Sequence, residues 1–298
     1  MILSLSLALA LSQTGYLRSR VTQDDPNSLC LYWPENSAIA LHQNQDGNPE
    51  VGGPEFTAFQ ASITTWQTQL NACASVSLAD GARTTSRATE FKTSGDNENV
   101  VVYRFKKCSK SCASNDTLCK QVDSADACWD ADQDNCGSKY DCWQHASGAI
   151  AITTTSYYPS NAQILDADIE FNWPSFYFTA TPDTVPCPTG VSSQTCVVTD
   201  VQNTATHELG HLLGLAHFTN SNSTMFASAS TGETKKRTLD VGSAQFVCDT
   251  YPVGQRARQC VIPTVEETLG KAPKGCSVTA GGALIVLPLL FRRRRARA

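Results

Sequence analysis

Basic clusters are almost absent from the body of this 298-residue chain, whose formal charge is −5 and whose charged residues make up only 17%. Phosphate binding needs a clustered excess of Lys and Arg, so no nucleic-acid partner is expected. The one dense basic block falls in the last seven residues, Arg292 to Ala298, and removing its five arginines takes the charge to −10. No apolar run reaches the roughly 20 residues that a stable membrane helix needs. Paired C-x-x-C spacings are missing from the cysteine-dense region, which argues against a cysteine zinc site. There is no internal repeat, and histidine is scarce, at five.

The chain does have 41% hydrophobic residues, enough for one sizeable globular domain with appendages. It also has thirteen cysteines, a number that points to an oxidising compartment. Cys108, Cys112, Cys119, Cys128, Cys136 and Cys142 crowd one stretch. Setting aside Cys276 near the C-terminus leaves twelve, an even number that can form six bridges.

The two ends read as sorting signals. Ile2 to Leu11 is apolar and contains Ala8-Leu9-Ala10, a small-x-small cleavage pattern, so residues 1–12 are expected to be a secretory signal peptide. Near the other end, Gly275-Cys276 precedes an apolar run from Val278 to Phe291 and the block Arg292 to Arg295. This order resembles the C-terminal sorting tags of myxobacterial surface and secreted proteins. The resemblance implies transient membrane retention and processing or lipid attachment at Cys276, with residues 276–298 as the tag and 253–275 as a linker. A permanent single-span anchor is the alternative. Otherwise no membrane contact is expected, and the protein is expected to be an exported monomer.

Between the ends, Leu29 to Trp33 is strand-like. Phe56, Phe59, Ile63 and Trp66 recur at helical spacing after Pro54, which sits where a helix can begin. Val100 to Phe105 and Ala149 to Thr155 read as strands, and a disulfide-rich insert of about residues 106–144 lies between them. Leu165 to Trp173 alternates strictly, with Leu165, Ala167, Ile169 and Phe171 on a core face and Asp166, Asp168, Glu170 and Asn172 on a face expected to be wet. Further helices are expected over about 201–215 and 240–251. Cys260 is expected to be tied back to the body.

The chemistry is concentrated in His207-Glu208-Leu209-Gly210-His211-Leu212-Leu213-Gly214-Leu215-Ala216-His217. Residues four apart share a helix face, so His207 and His211 can direct imidazoles at one ion. A third ligand six residues further on cannot share that face. Gly214 supplies a φ > 0 turn that brings His217 back beneath the metal. Three neutral histidines leave a tetrahedral zinc with one open position, which marks a catalytic rather than a structural site. Glu208 is placed to take a proton from water there and pass it to a leaving amine, giving metal-assisted peptide hydrolysis.

The segment matches H-E-x-x-H-x-x-G-x-x-H of the metzincins, and Met225 in Ser223-Thr224-Met225-Phe226 looks like that clan's Met-turn methionine. Over about residues 28–252 the chain resembles matrixin-like bacterial enzymes, through Trp33-Pro34, the helix with Trp66, the strand Asp166 to Asn172 and the zinc helix. The resemblance implies an α+β metzincin-like catalytic domain with a twisted mixed five-stranded sheet, three helices and the insert. It further implies that Met225 floors the site, and that Ala149 to Thr155 is a sheet edge that binds protein or peptide substrate as an added antiparallel strand. The chain departs from animal matrixins at Phe218, where they have Ser or Thr. It lacks a P-R-C-G-x-P-D segment, and it lacks the histidines of their second zinc site, since only His42 and His145 remain. Ala227 stands where a participating tyrosine would follow the methionine.

Two acidic sets are candidate calcium ligands. One is Asp130, Asp132 and Asp134 before Gly137, where a solvated loop is the plainer reading; the other is Asp166, Asp168 and Glu170, where a solvent-facing strand is. The competing functional classes are a surface binding or adhesion module that keeps the zinc fold without turnover, and a protease that processes one partner. An intact Glu208 argues against the first, because only hydrolysis needs that carboxylate.

Overall fold

Pro54 at the first turn and Glu55 behind it open the first long helix. The Glu55 carboxylate accepts from the amide of Gly53 at the helix start at 2.7 Å, a donor the helix leaves free, and from the Asn48 amide in the preceding loop at 2.8 Å. In the computed structural model, which describes residues 15–94, 97–122, 136–260 and 294–295, this helix is α1 (Pro54–Cys73). The other helices are α2 (Cys136–Tyr140), α3 (Val201–Leu212) and α4 (Val241–Thr250). The strands before α2 are β1 (Leu17–Arg18), β2 (Ala38–Gln43), β3 (Ser77–Asp80), β4 (Asn99–Arg104), β5 (Lys107–Ser109) and β6 (Cys119–Gln121). Those after it are β7 (Ala151–Tyr157), β8 (Ile164–Asn172), β9 (Phe178–Thr179), β10 (Thr199–Asp200), β11 (Leu215–Ala216) and β12 (Arg294–Arg295).

The central sheet runs β12-β7-β8-β4-β2-β3, with β7 antiparallel to β8 and the other pairs parallel. It is therefore the mixed sheet of an α+β domain. Five strands form its body, and the two residues of β12 run alongside Ser156 and Tyr157 at the β7 end. On one face, α1 and α3 bury Phe59, Ile63, Trp66, Leu70, Val201, Ala205 and Leu209 against Val101, Ile169 and Phe171. Burying a side chain of this size contributes roughly 1.5–3 kcal/mol. The Trp66 indole donates to Thr206 O at 2.8 Å, locking the two helices together.

Two readings of the sequence need correction. Leu29 to Trp33 forms only isolated bridges, through Cys30 and Tyr32. The first strand of the central sheet is β2, a short and partly polar run. The polar face of β8 is not wet: Asp166, Asp168, Glu170 and Asn172 are all buried. Alternation separates two faces but does not say what covers the second. Here Thr89 and His145 close over it, with Arg104 from the neighbouring strand. Asp168 accepts from the Val100 amide at 2.7 Å, and burial together with the adjacent Asp166 pushes its carboxyl well above the usual range.

Described disulfides join Cys30–Cys260, Cys73–Cys248, Cys108–Cys142, Cys112–Cys119 and Cys187–Cys196, and Cys136 is disulfide-bonded as well. The first closes the two ends of the domain on each other, across 230 residues of sequence. The signal-peptide residues, Cys128, the Asp130 to Asp134 loop and Cys276 lie outside the described residues. Among the described residues no helix is long and apolar enough to cross a membrane.

Burial alone would raise the Glu170 carboxyl, but Arg104 at 2.5 Å and His145 at 3.3 Å outweigh it and hold it well below the usual range. The resulting stabilisation is present above the unfolded value of about 4.3 and is lost only as pH falls well into the acid range. Arg104→Met is expected to lower the unfolding free energy by about 3–5 kcal/mol in urea titrations, because it strands a buried charge. Glu170→Gln added to that variant should recover part of the loss, and no recovery would show that the charge is not the cause.

Candidate metal centre

Helix α3 begins at Asp200, whose carboxylate accepts from the Asn203 amide at 2.6 Å and is gripped by the Arg237 guanidinium. The following twelve residues carry the first two histidines of the motif to one side, facing β7. The Leu212 carbonyl at the end of α3 and those of Leu213 and Gly214 just beyond it have no helical turn after them, and groups of this kind need outside partners. Those partners come from remote segments. Trp33 Nε1 donates to Leu212 O at 2.8 Å, Tyr251 Oη to Leu213 O at 2.6 Å and the Ser19 amide to Gly214 O at 2.8 Å. Gly214 has φ +104°, and a Cβ there would press on Leu31 O. The chain reverses at this glycine, and β11 then pairs with β1 immediately before His217.

This turn brings the three histidines together. The His207 Nε2 atom lies 3.1 Å from His211 Nε2 and 3.1 Å from His217 Nε2. With zinc–nitrogen bonds of about 2.0–2.1 Å, such spacing corresponds to ligand angles of about 100°, which suits a tetrahedral ion with a fourth direction open. Nδ1 of His207 donates to Thr224 O at 2.7 Å and Nδ1 of His211 to Leu215 O at 2.8 Å, so the Nε2 lone pairs of both face the common centre. Burial keeps the rings neutral, as metal ligands must be. It pushes His211 down to about 4 and His217 to about 2, and His207 lies well below its ordinary value. Among the described residues this is the only group of three such side chains close enough to share an ion. Asp166, Asp168 and Glu170 form no such group, and His42 and His145 do not come together with one.

Glu208 is buried beside the first ligand, and burial pushes its carboxyl up to about 7 despite the Thr153 hydroxyl, which acts the other way. Met225 lies beneath, buried, with its sulfur against Gly210, where even a methyl group would collide with it. The turn carrying Met225 is pinned by Asp240, the N-cap of α4, which accepts from the Thr224 amide at 2.8 Å. Thr224 is thus held from one side and orients His207 on the other.

Three contributors were not apparent from the sequence. Thr153 of β7 donates to Glu208 Oε2. Ser19 Oγ donates to Leu215 O at 2.9 Å, the same carbonyl that His211 Nδ1 uses. Lys236 is buried, with Nζ 2.7 Å from Ser228 O, and it anchors the segment between Met225 and α4 while its backbone amide donates to Asn203 Oδ1. The Thr153 and Ser19 contacts act across 55 and 196 residues and the Lys236 amide reaches Asn203 across 33, separations that no motif records. Beside the centre, a cavity of about 50 Å³ is lined by Ile150, Phe176, Thr204, Ser230 and Glu233 among others, so it lies between α3, the start of β7 and that segment.

Gly214→Ala is expected to keep the helix but misplace His217, since the turn would carry an L side chain in a left-handed conformation costing about 1–2 kcal/mol. Competition with a chromophoric chelator should show zinc bound about 10- to 100-fold more weakly. Unchanged affinity would mean that the turn does not set the third ligand. The matrixin family model matches residues 97–251 of the chain, which include every residue of this centre from Thr153 to Asp240. No curated protein matches it.

Proposed function

The chain belongs to the matrixin family of zinc metallopeptidases, and we propose that it is an exported endopeptidase in which His207, His211 and His217 hold the zinc and Glu208 is the general base. The observation that carries this reading is the convergence of three neutral imidazoles with an intact carboxylate at the next residue. A zinc ion bound there would polarise the scissile carbonyl and make water more acidic. Glu208, with its carboxyl near 7, is poised to accept a proton from the attacking water at neutral pH. It then returns that proton to the amine nitrogen as the carbon–nitrogen bond breaks. Both peptide fragments leave without a covalent enzyme intermediate.

Substrate is read as an extended chain laid antiparallel along Ala151 to Thr155 of β7, short of Ser156 and Tyr157 where β12 pairs, and there backbone hydrogen bonds dominate over side-chain selection. Selection comes from the small cavity beside α3, which is part polar, with Thr204 and Ser230 in its wall. The cavity measures about 50 Å³. A peptide-library cleavage profile should therefore show one position restricted to small side chains, and a preference for bulky aromatics at every position would remove this assignment. Export is supported by the disulfides, which persist in oxidising compartments.

Glu208→Gln is expected to slow hydrolysis of unfolded casein by about 100- to 10,000-fold while retaining zinc. A strong chelator should abolish wild-type activity, and added zinc should restore it. Full activity in the Glu208→Gln protein would refute the mechanism.

A further inference from the structure

We propose that Thr153 is a positioning residue for Glu208, holding the Oε2 oxygen so that Oε1 is the one that exchanges the proton. The inference rests on Glu208 acting as the base. Thr153 sits near the middle of β7, opposite Ile169 of β8, and is buried with its side chain turned toward α3. Its hydroxyl lies 2.7 Å from Glu208 Oε2 and 3.0 Å from the Glu208 carbonyl oxygen. One hydroxyl carries one proton, so it can serve only one of these acceptors at a time. The ionised carboxylate is both nearer and the stronger acceptor, because hydrogen bonds to charged groups are shorter and stronger. Oε2 therefore accepts the hydroxyl's hydrogen bond while Glu208 is ionised.

This assignment divides the labour of the carboxylate. A glutamate side chain turns about several bonds, and a buried one with no fixed partner would sample orientations that do not face the metal centre. The Thr153 hydroxyl ties it to the sheet, and Oε1 remains for the water. Once Glu208 has accepted a proton, the hydroxyl has a second acceptor within reach in the Glu208 carbonyl, so the changed charge leaves no buried donor unpaired. Because β7 is also the strand along which substrate is read to lie, the same strand sets the position of the substrate backbone and of the base.

A purely structural role predicts something different, namely that any side chain filling the space would serve. Thr153→Val fills the space without the donor, and Thr153→Ser keeps the donor without the methyl group. Steady-state hydrolysis of fluorescein-labelled unfolded casein, with zinc content and thermal midpoint measured alongside, separates the two. The valine protein is expected to lose about 10- to 100-fold in kcat with KM and zinc content unchanged, a fraction of what a positioned base contributes. The serine protein is expected to return to within about threefold of wild type. The inference is overturned if the valine protein keeps its kcat, if its loss falls in KM or in zinc content, or if serine is as impaired as valine. Glu208→Gln measured in parallel distinguishes the levels: an inactive glutamine protein beside a fully active valine protein sinks only the role of Thr153. An active glutamine protein sinks the general-base reading with it.

Discussion

The end of helix α3 carries the rest of the structure. The carbonyls at its end and in the two residues just beyond, Leu212, Leu213 and Gly214, are taken up by Trp33, Tyr251 and the Ser19 amide, from three separate parts of the chain. Those donors stop the helix at the place where Gly214 reverses direction, and the reversal is what returns His217 to the other two imidazoles. A helix that ran one turn further would carry the third histidine away from the ion.

Several features that look unrelated serve the same constraint. The Cys30–Cys260 disulfide and the β1–β11 pairing hold the N-terminal segment against the turn, and Arg18 ties it to Leu31 O and Arg258 O. Asp240 caps α4 and also fixes the Met225 turn, whose Thr224 carbonyl sets the His207 ring. Trp66 and Gly210 let α1, α3 and Met225 approach closely enough for that turn to lie directly beneath the histidines. The metal centre is thereby built from local sequence but oriented by contacts that span most of the chain. Such preorganisation is what lets a buried carboxylate and neutral imidazoles persist in one geometry.

The second face of the sheet shows how a polar surface becomes an interior. Asp168 and Glu170 lie under the segments around Thr89 and His145, and Arg104 supplies the opposing charge. Charges of this kind are strongly destabilising when one partner is removed, so the residues covering β8 depend on one another. The disulfides of the insert secure this cover without a large apolar core of its own, consistent with its small buried cluster around Cys108, Val122, Cys136 and Cys142.

Some of this was determined by the sequence alone. Helical spacing and the position of Pro54 locate α1, the four-residue interval places His207 and His211 on one face, and the glycine six residues after Glu208 announces a turn. These are consequences of local geometry, and local geometry is periodic. What only the tertiary structure decided depends on partners distant in the chain. Strict alternation in β8 gave no sign that both faces are covered, and Leu29 to Trp33 has strand composition without a strand partner along its length. Nothing near Thr153 in the sequence points to Glu208, fifty-five residues away. The physical reason is the same in each case: propensity and pattern describe what a segment can present, whereas burial, charge pairing and hydrogen-bond partners are properties of whatever folds against it.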